Sequence, residues 1–215
     1  MSRRVLALAF LFALCLVAVV AFVSSSKSPA VSAASHGSPA STYALSYTKD
    51  GNLVPPLQYR EWVYLTSGLD MSYTPKTNAD MSMFDNVFVS PEAYRSFIAT
   101  GIWPDKTVLV LESRGAESKG SINKAGHYQS GAVMGLEVHV KDESRFPGKW
   151  AFFDVANESK ATLFPQGAAC YSCHADHAAV DTTFVQFYPT LLPIAQKAGT
   201  LSANYLKDIA AEPKK

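Results

Sequence analysis

The chain has few cysteines, and their positions exclude several kinds of site. Three cysteines occur in 215 residues. Cys15 lies inside an apolar N-terminal segment, so Cys170 and Cys173 form the only pair that is close in sequence. A structural zinc site usually takes four ligands, often from two such pairs. With no second pair, the chain fits neither that site nor a scaffold held together by several disulfides.

The chain also lacks an excess of charge of either sign. Its 19 lysines and arginines nearly balance its 18 aspartates and glutamates, and the formal net charge is +1. The sequence contains no block of basic residues and no evident internal repeat. Because proteins that bind nucleic acid generally carry a basic patch, nucleic acid is not an expected partner.

Long apolar runs are confined to the N-terminus. Arg3 and Arg4 precede a continuous apolar run from Val5 to Val23, and small residues follow it. This order is typical of a signal peptide, which we assign to residues 1–34. The run is longer than the usual apolar region, so an uncleaved anchor in the inner membrane is the alternative. Both interpretations predict an exported protein, either periplasmic or secreted.

The cysteine pair belongs to the segment Cys170-Tyr171-Ser172-Cys173-His174. Two cysteines three positions apart, followed at once by a histidine, are the attachment signal of c-type haem. The thiols can add to the two vinyl groups of one haem, and the His174 imidazole can then bind the iron through Nε2. A disulfide, a redox-active pair and half of a zinc site are the alternatives. The sequence predicts one covalent haem c, with the second ring nitrogen of His174 hydrogen-bonded to a neighbour.

Hydrophobic patterns predict a single domain over residues 55–211, preceded by a flexible linker over residues 35–54. The first predicted element is a short helix bounded by Pro55 and Gly68. Its inward side chains would be Leu57, Tyr64 and Leu65.

Local signals predict the remaining elements and the fold class. Ser90 as N-cap, Pro91 as first residue and Gly101 as stop predict a helix over residues 91–100. Strands are predicted at residues 86–89, 107–112, 133–141 and 150–155, with a long loop between Gly115 and Gly131. The tail is predicted to be helical and divided at Pro189 and Pro193. We therefore expect an α+β fold, an antiparallel sheet with flanking helices, and the haem motif on a C-terminal helical segment.

No methionine follows the haem motif, which excludes a common cytochrome arrangement. Small class I electron carriers have the motif near the N-terminus and a methionine ligand after it, whereas all five methionines here precede Cys170. The four-helix cytochromes c′ have the motif near the C-terminus, but their bundle is incompatible with the predicted strands.

The order of several short stretches around the motif resembles the cytochrome P-460 and cytochrome c′-beta family over about residues 55–192. The resemblance implies a sheet-rich, mono-haem periplasmic protein, a homodimer whose five-coordinate iron is open on its distal side. The matching stretches are Tyr59-Arg60-Glu61-Trp62-Val63, Val87-Phe88-Val89-Ser90-Pro91, Asp105-Lys106-Thr107-Val108, Gly135-Leu136-Glu137-Val138-His139-Val140-Lys141-Asp142, Trp150-Ala151-Phe152, the haem motif and Asp181-Thr182-Thr183-Phe184-Val185-Gln186-Phe187-Tyr188-Pro189.

The resemblance also bears on activity. Members that oxidise hydroxylamine carry a lysine cross-linked to the haem, and that position aligns with Leu111. An arginine of the same members aligns with Asp85. Because an aliphatic side chain cannot form the cross-link, the resemblance favours the c′-beta type, which binds gases in an apolar distal pocket. Glu137 matches a family glutamate and is the candidate catalytic residue, as a proton relay or ligand partner. The alternative interpretation is that Glu137 is an exposed or ion-paired strand residue without a catalytic role.

Three further side chains are candidates for the haem environment. Arg60 is predicted to bind the cofactor by neutralising a propionate, and the alternative is a surface arginine. Phe84 and Phe88 either cap the iron or pack in the core.

The histidines outside the motif have alternative interpretations as well. His127 is either a sixth iron ligand or a surface residue of a glycine-rich loop. His139 is either buried and hydrogen-bonded or exposed, and His177 is either solvated or near a propionate.

Three functions follow. The first is a haem protein that binds nitric oxide or a similar small ligand at an open iron. The second is an oxidoreductase acting on hydroxylamine or another small nitrogen compound, or removing peroxide. The third is a simple electron carrier. The expected partners are a small gaseous or nitrogen-containing ligand and a redox partner protein.

Overall fold

In the part of the chain that the structure describes, six strands form one sheet in which all neighbouring strands are antiparallel and follow the chain order β1-β2-β3-β4-β5-β6. The computed structural model describes residues 43–72 and 82–212, which belong to one compact unit. The predicted signal peptide or anchor, residues 1–34, lies outside the described residues. The strands are β1 (Val63–Leu69), β2 (Met83–Val89), β3 (Val108–Glu117), β4 (Tyr128–Lys141), β5 (Trp150–Asn157) and β6 (Lys160–Leu163).

Within the described residues, four α-helices flank the sheet, namely α1 (Pro91–Thr100), α2 (Ala169–His177), α3 (Leu192–Ala198) and α4 (Ala203–Ala211). Helix α1 has the predicted bounds, with Pro91 in its first turn and Gly101 at its end in the left-handed region, φ +72°. The haem motif lies in α2. The predicted α+β class is confirmed. No helix within residues 43–72 and 82–212 is long and apolar enough to cross a membrane.

Side chains alternate between two faces of the sheet, and each face has its own core. On β3, Leu109 packs with the helices in a cluster that includes Phe97 of α1 and Ala195 of α3. We call the face of the sheet that packs against these helices the helical face. Val108 and Val110 point the other way and pack with a cluster that includes Leu53 and Phe153. Because side chains alternate, Leu111 shares the helical face with Leu109.

The first predicted helix is wrong. A 3₁₀ turn at Tyr59–Glu61 leads directly into strand β1, which pairs with β2. Leu65 is buried as predicted, but Leu57 and Tyr64 are 46% and 54% exposed. The β-branched and aromatic residues at the start of β1 favour a strand, and pairing with β2 satisfies its backbone.

Two boundaries also differ from the predictions. Part of the predicted linker is folded, because Leu53 is fully buried and its backbone bridges Ala161 of β6. The domain therefore begins before residue 55. Strands β3 and β4 extend further than predicted, which shortens the loop between them to residues 118–127. In the tail, a 3₁₀ turn at Val185–Phe187 and the separate helix α3 replace the start of the predicted helix.

Candidate haem-binding site

A cavity of about 510 Å³ lies where the helical face of the sheet meets α2. Its volume is in the range typical of ligand and cofactor sites. Cys170, Cys173 and His174 all line it from α2. We call the part contributed by β1 to β4 the sheet wall. Its side chains include Thr66, Asp85, Val87, Leu109, Leu111 and Glu137.

The two cysteines are arranged for attachment to one group. Cys170 and Cys173 lie one helical turn apart and are free rather than joined in a disulfide. Burial raises the pKa of both thiols. Among the described residues, no group of three or more histidine, cysteine or acidic side chains converges to hold a metal ion, so the zinc alternative finds no support there.

The His174 ring is held by the hydrogen bond that the sequence predicts for an iron ligand. Its Nδ1 lies 2.7 Å from the carbonyl oxygen of Thr182. A carbonyl oxygen only accepts hydrogen bonds, so Nδ1 carries the hydrogen and Nε2 is the basic nitrogen. Burial lowers the pKa of His174, which keeps the imidazole neutral and able to bind a metal.

A tight turn over residues 180–183 positions this carbonyl. Val180 and Thr183 exchange backbone hydrogen bonds, and Asp181 has a φ of +51°. The Trp103 indole donates to Thr183 Oγ1 at 2.7 Å. Lys141 Nζ donates to Asp181 Oδ2 at 3.1 Å and to the Trp103 carbonyl at 2.8 Å. Sequence reasoning missed these supporting residues, although the family-like stretch at residues 181–189 contains part of the turn.

Rings enclose the His174 imidazole. The centroids of Phe184 and Phe152 lie 4.2 and 4.6 Å from that of His174. His139 stacks on Phe152 at 4.0 Å, and its Nε2 lies 3.2 Å from Thr182 Oγ1. Of the two interpretations for His139, the hydrogen-bonded one is observed. Burial holds the pKa of His139 well below its usual value, so this ring is neutral.

The sheet wall carries the positions that the family alignment singles out. Cross-strand register places Val87, Leu111 and Glu137 in one row across β2, β3 and β4. Leu111 therefore faces the cavity, as a cross-linking lysine there would. Glu137 is exposed to solvent where it lines the cavity, as the alternative interpretation predicted. Partial loss of hydration, and then the carboxylates of Asp154 and Asp85, raise its pKa. Asp85 lines the cavity too, and its Oδ1 accepts from Ser113 Oγ at 2.6 Å.

Arg60 is not at this site. It forms an ion pair with Glu112. Leu111 points to the cavity, so its neighbour Glu112 belongs to the opposite face of the sheet. Arg60 is therefore not among the residues that line the cavity, and we do not carry its predicted role in binding a propionate further. Its physical role is to compensate a buried charge.

Glu112 was missed by sequence reasoning because two of its partners, Tyr59 and Arg60, are distant in sequence. Only 1% of its surface is exposed, and it accepts hydrogen bonds from Tyr59 and Arg114. Burial alone would raise the pKa of Glu112, but these bonds and the Arg60 charge hold it below its usual value. Burial and the Glu112 contact raise the pKa of Tyr59 to about 12.

The remaining candidates also lie away from the cavity lining. Phe88 packs against the rings of Tyr59 and Tyr64, and Phe84 shares its face of β2. Both are therefore packing residues rather than caps over the iron. His127 is exposed in the loop between β3 and β4. His177 is exposed, and its Nδ1 lies 2.8 Å from Asp208 Oδ2 on α4.

The cavity and the Cys-x-x-Cys-His helix that lines it fit a haem-binding protein. The sequence profile of the family described as cytochrome P460 matches residues 56–185, more than half of the chain, so the chain belongs to this family. Membership confirms the resemblance and makes the protein a haem-binding cytochrome of the c type. A comparison with curated protein sequences gives no significant match.

Proposed function

We propose that the protein is an exported cytochrome that carries one covalent haem c and binds nitric oxide or a similar small ligand at an open iron site. The observation that carries this proposal is the composition of the cavity. Cys170, Cys173 and His174 line it from the helix, and Leu111 lines it from the sheet wall. By the family resemblance, this aliphatic residue aligns with the cross-linking lysine of the members that oxidise hydroxylamine.

The residues of the cavity fit a c-type haem. Cys170 and Cys173 would attach it, and His174 Nε2 would bind its iron, which supplies a site for small ligands and can change oxidation state. The Thr182 carbonyl orients the imidazole and increases its basicity. Phe152 and Phe184 pack around the ring and keep water from it.

An open distal position is supported by the lack of a strong second ligand. In the described part of the chain, no lysine or arginine lines the cavity, and the Nε2 atom of His139 is already paired with the Thr182 hydroxyl. His127 is in an exposed loop. Ligands of the diatomic class would therefore meet a mostly aliphatic and aromatic space.

Glu137 would act on the bound ligand rather than on the haem. Its raised pKa means that it holds a proton more readily than an ordinary glutamate does. It could then donate a hydrogen bond to a ligand or return a proton to it. This is also the residue on which an oxidoreductase acting on hydroxylamine would depend.

Met71 favours a second candidate function, simple electron transfer. Its thioether lines the same cavity and is 45% exposed. Methionine and histidine together are the axial ligands of many electron-carrying cytochromes. If Met71 bound the iron, the site would be closed to other ligands.

The deciding experiment is the optical spectrum of the purified ferrous protein before and after addition of nitric oxide, with a denatured pyridine sample as control. We expect a high-spin ferrous spectrum that shifts with nitric oxide, and an ordinary c-type spectrum after denaturation. A low-spin spectrum that does not respond would overturn the proposal in favour of electron transfer. A red-shifted band that persists on denaturation would indicate a modified haem and hydroxylamine oxidation.

Export and attachment have a separate test. Intact-mass measurement of protein from the periplasmic fraction should give the mass of a chain beginning near residue 35 plus one haem. A full-length chain in the membrane fraction would support the anchor instead. The proposed homodimer and redox partner come from the family resemblance, and light scattering of the purified protein tests the dimer.

A further inference from the structure

We infer that the cavity selects its ligands by charge, admitting neutral molecules and disfavouring anions, because Asp85 and Glu137 make its sheet wall acidic. This inference rests on the proposed function and narrows the class of ligand. Nitric oxide and hydroxylamine are neutral and compatible with it, whereas nitrite and azide are not.

The register of the sheet brings the two carboxylates together. Asp85 lies on β2 opposite Ser113, and Glu137 lies on β4 opposite Leu111. Ser113 and Leu111 are two positions apart on β3, so both carboxylates project from the same face on either side of that strand. Both side chains line the cavity that Cys170 and His174 also line.

No cation offsets these charges within the described lining of the cavity. The hydrogen-bond partner recorded for Asp85 is the neutral Ser113 hydroxyl. The charged residues that act on Glu137 are carboxylates, Asp85 and its cross-strand neighbour Asp154. The rest of the lining is largely aliphatic and aromatic, with a low polarisability that strengthens electrostatic effects.

The consequence is an unfavourable potential for any anion that enters the cavity. By Coulomb's law with an effective dielectric constant near 20, a carboxylate about 12 Å away weakens the binding of a unit anion by about tenfold, and a nearer one weakens it more. A neutral diatomic ligand is not affected in this way, since it carries no net charge. Charge therefore separates ligands that are similar in size.

The test compares azide binding to the ferric holoprotein with carbon monoxide binding to the ferrous holoprotein, each followed by optical titration. We expect Asp85→Asn to raise the ratio of azide affinity to carbon monoxide affinity about tenfold. Asn keeps an oxygen that can accept from Ser113, so the fold is preserved. Glu137→Gln provides an independent measurement and should also tighten azide binding, by a smaller factor than Asp85→Asn, because the raised pKa of Glu137 leaves this carboxyl ionised less of the time.

Asp50→Asn and Glu158→Gln are matched controls, because both are exposed carboxylates outside the cavity lining and lose the same charge. We expect their azide affinities to stay within about twofold of the wild type. The inference is overturned if the cavity variants bind azide no tighter than the wild type, or if the controls tighten it equally. Failure of the wild type to bind carbon monoxide would instead overturn the open site itself.

Discussion

The Nδ1 atom of His174 lies 2.7 Å from the carbonyl oxygen of Thr182, eight residues further along the chain. This contact joins the haem-binding helix to the turn that follows it. Trp103 and Lys141, which lie outside the motif, hold this turn by hydrogen bonds to Thr183 and Asp181. The imidazole is thereby fixed in orientation, and Nε2 is the ring nitrogen left to bind the iron of a c-type haem.

Removal of the imidazole tests the proposed ligand. His174→Ala should abolish normal iron ligation and change the optical spectrum of both oxidation states, because no other described residue holds an equivalent nitrogen. His177→Ala is the matched control, since His177 is exposed and paired with Asp208. Its spectrum should equal that of the wild type. A normal spectrum from His174→Ala would refute the assignment of the site.

A lysine at position 111 tests the family division. Leu111 faces the cavity, so Leu111→Lys places an amine where the cross-linked members have one. We expect part of the purified variant to retain a modified, red-shifted haem spectrum after denaturation. Leu111→Met has a similar volume and no amine, and should show an ordinary c-type spectrum. If both variants behave alike, position 111 does not determine the cross-link.

The buried Glu112 makes stability depend on pH. Its folded pKa is held below the ordinary 4.5, so its contribution is present above that pH and is lost as the pH falls through the folded pKa. Glu112→Gln should lower the free energy of unfolding by about 3 kcal/mol at pH 7, because Arg114 loses its buried partner. The difference from the wild type should shrink below about pH 4.5, as measured by urea unfolding.

Glu92→Gln is the control for this effect. Glu92 pairs with Arg95 in an exposed position on α1, and such pairs contribute less than about 1 kcal/mol. Equal losses from Glu92→Gln and Glu112→Gln would show that burial of the Glu112 network has no special role.

The end of α1 is predicted to tolerate only glycine. Gly101 has a φ of +72°, and an added Cβ would lie 2.6 Å from the Cβ of Ala198 on α3. Gly101→Ala should therefore cost about 2 kcal/mol from the left-handed conformation and the displaced helix. Gly148→Ala, where an added Cβ meets nothing within 4 Å, should change stability by less than about 0.5 kcal/mol. Thermal unfolding of the two variants checks this difference.

Local signals in the sequence predicted part of the fold correctly. Helix α1 depends on an N-terminal proline and a terminal glycine, which act within one element, and its bounds were predicted. The segment before β1 was mispredicted, because a short apolar run is compatible with either periodicity. The strand forms because it pairs with β2, which begins 20 residues after the start of β1. That pairing cannot be inferred from the apolar run itself.

The candidate site divides in the same way. Cys170, Cys173 and His174 are adjacent in sequence, and their spacing alone predicts the attachment chemistry. The partner of His174 is a backbone carbonyl, an atom that every residue has and that no motif marks. The positive charge of Arg60 would suit a haem propionate, but only the fold shows that Arg60 forms an ion pair with Glu112 instead.

The sequence by itself therefore predicted the haem attachment, determined the α+β class and showed that position 111 is not a lysine, since each depends on residue type or on neighbours in the chain. Only the tertiary structure decided which side chains share the cavity with His174. Asp85 and Glu137 lie 52 positions apart, and cross-strand register alone places them on one face of the sheet.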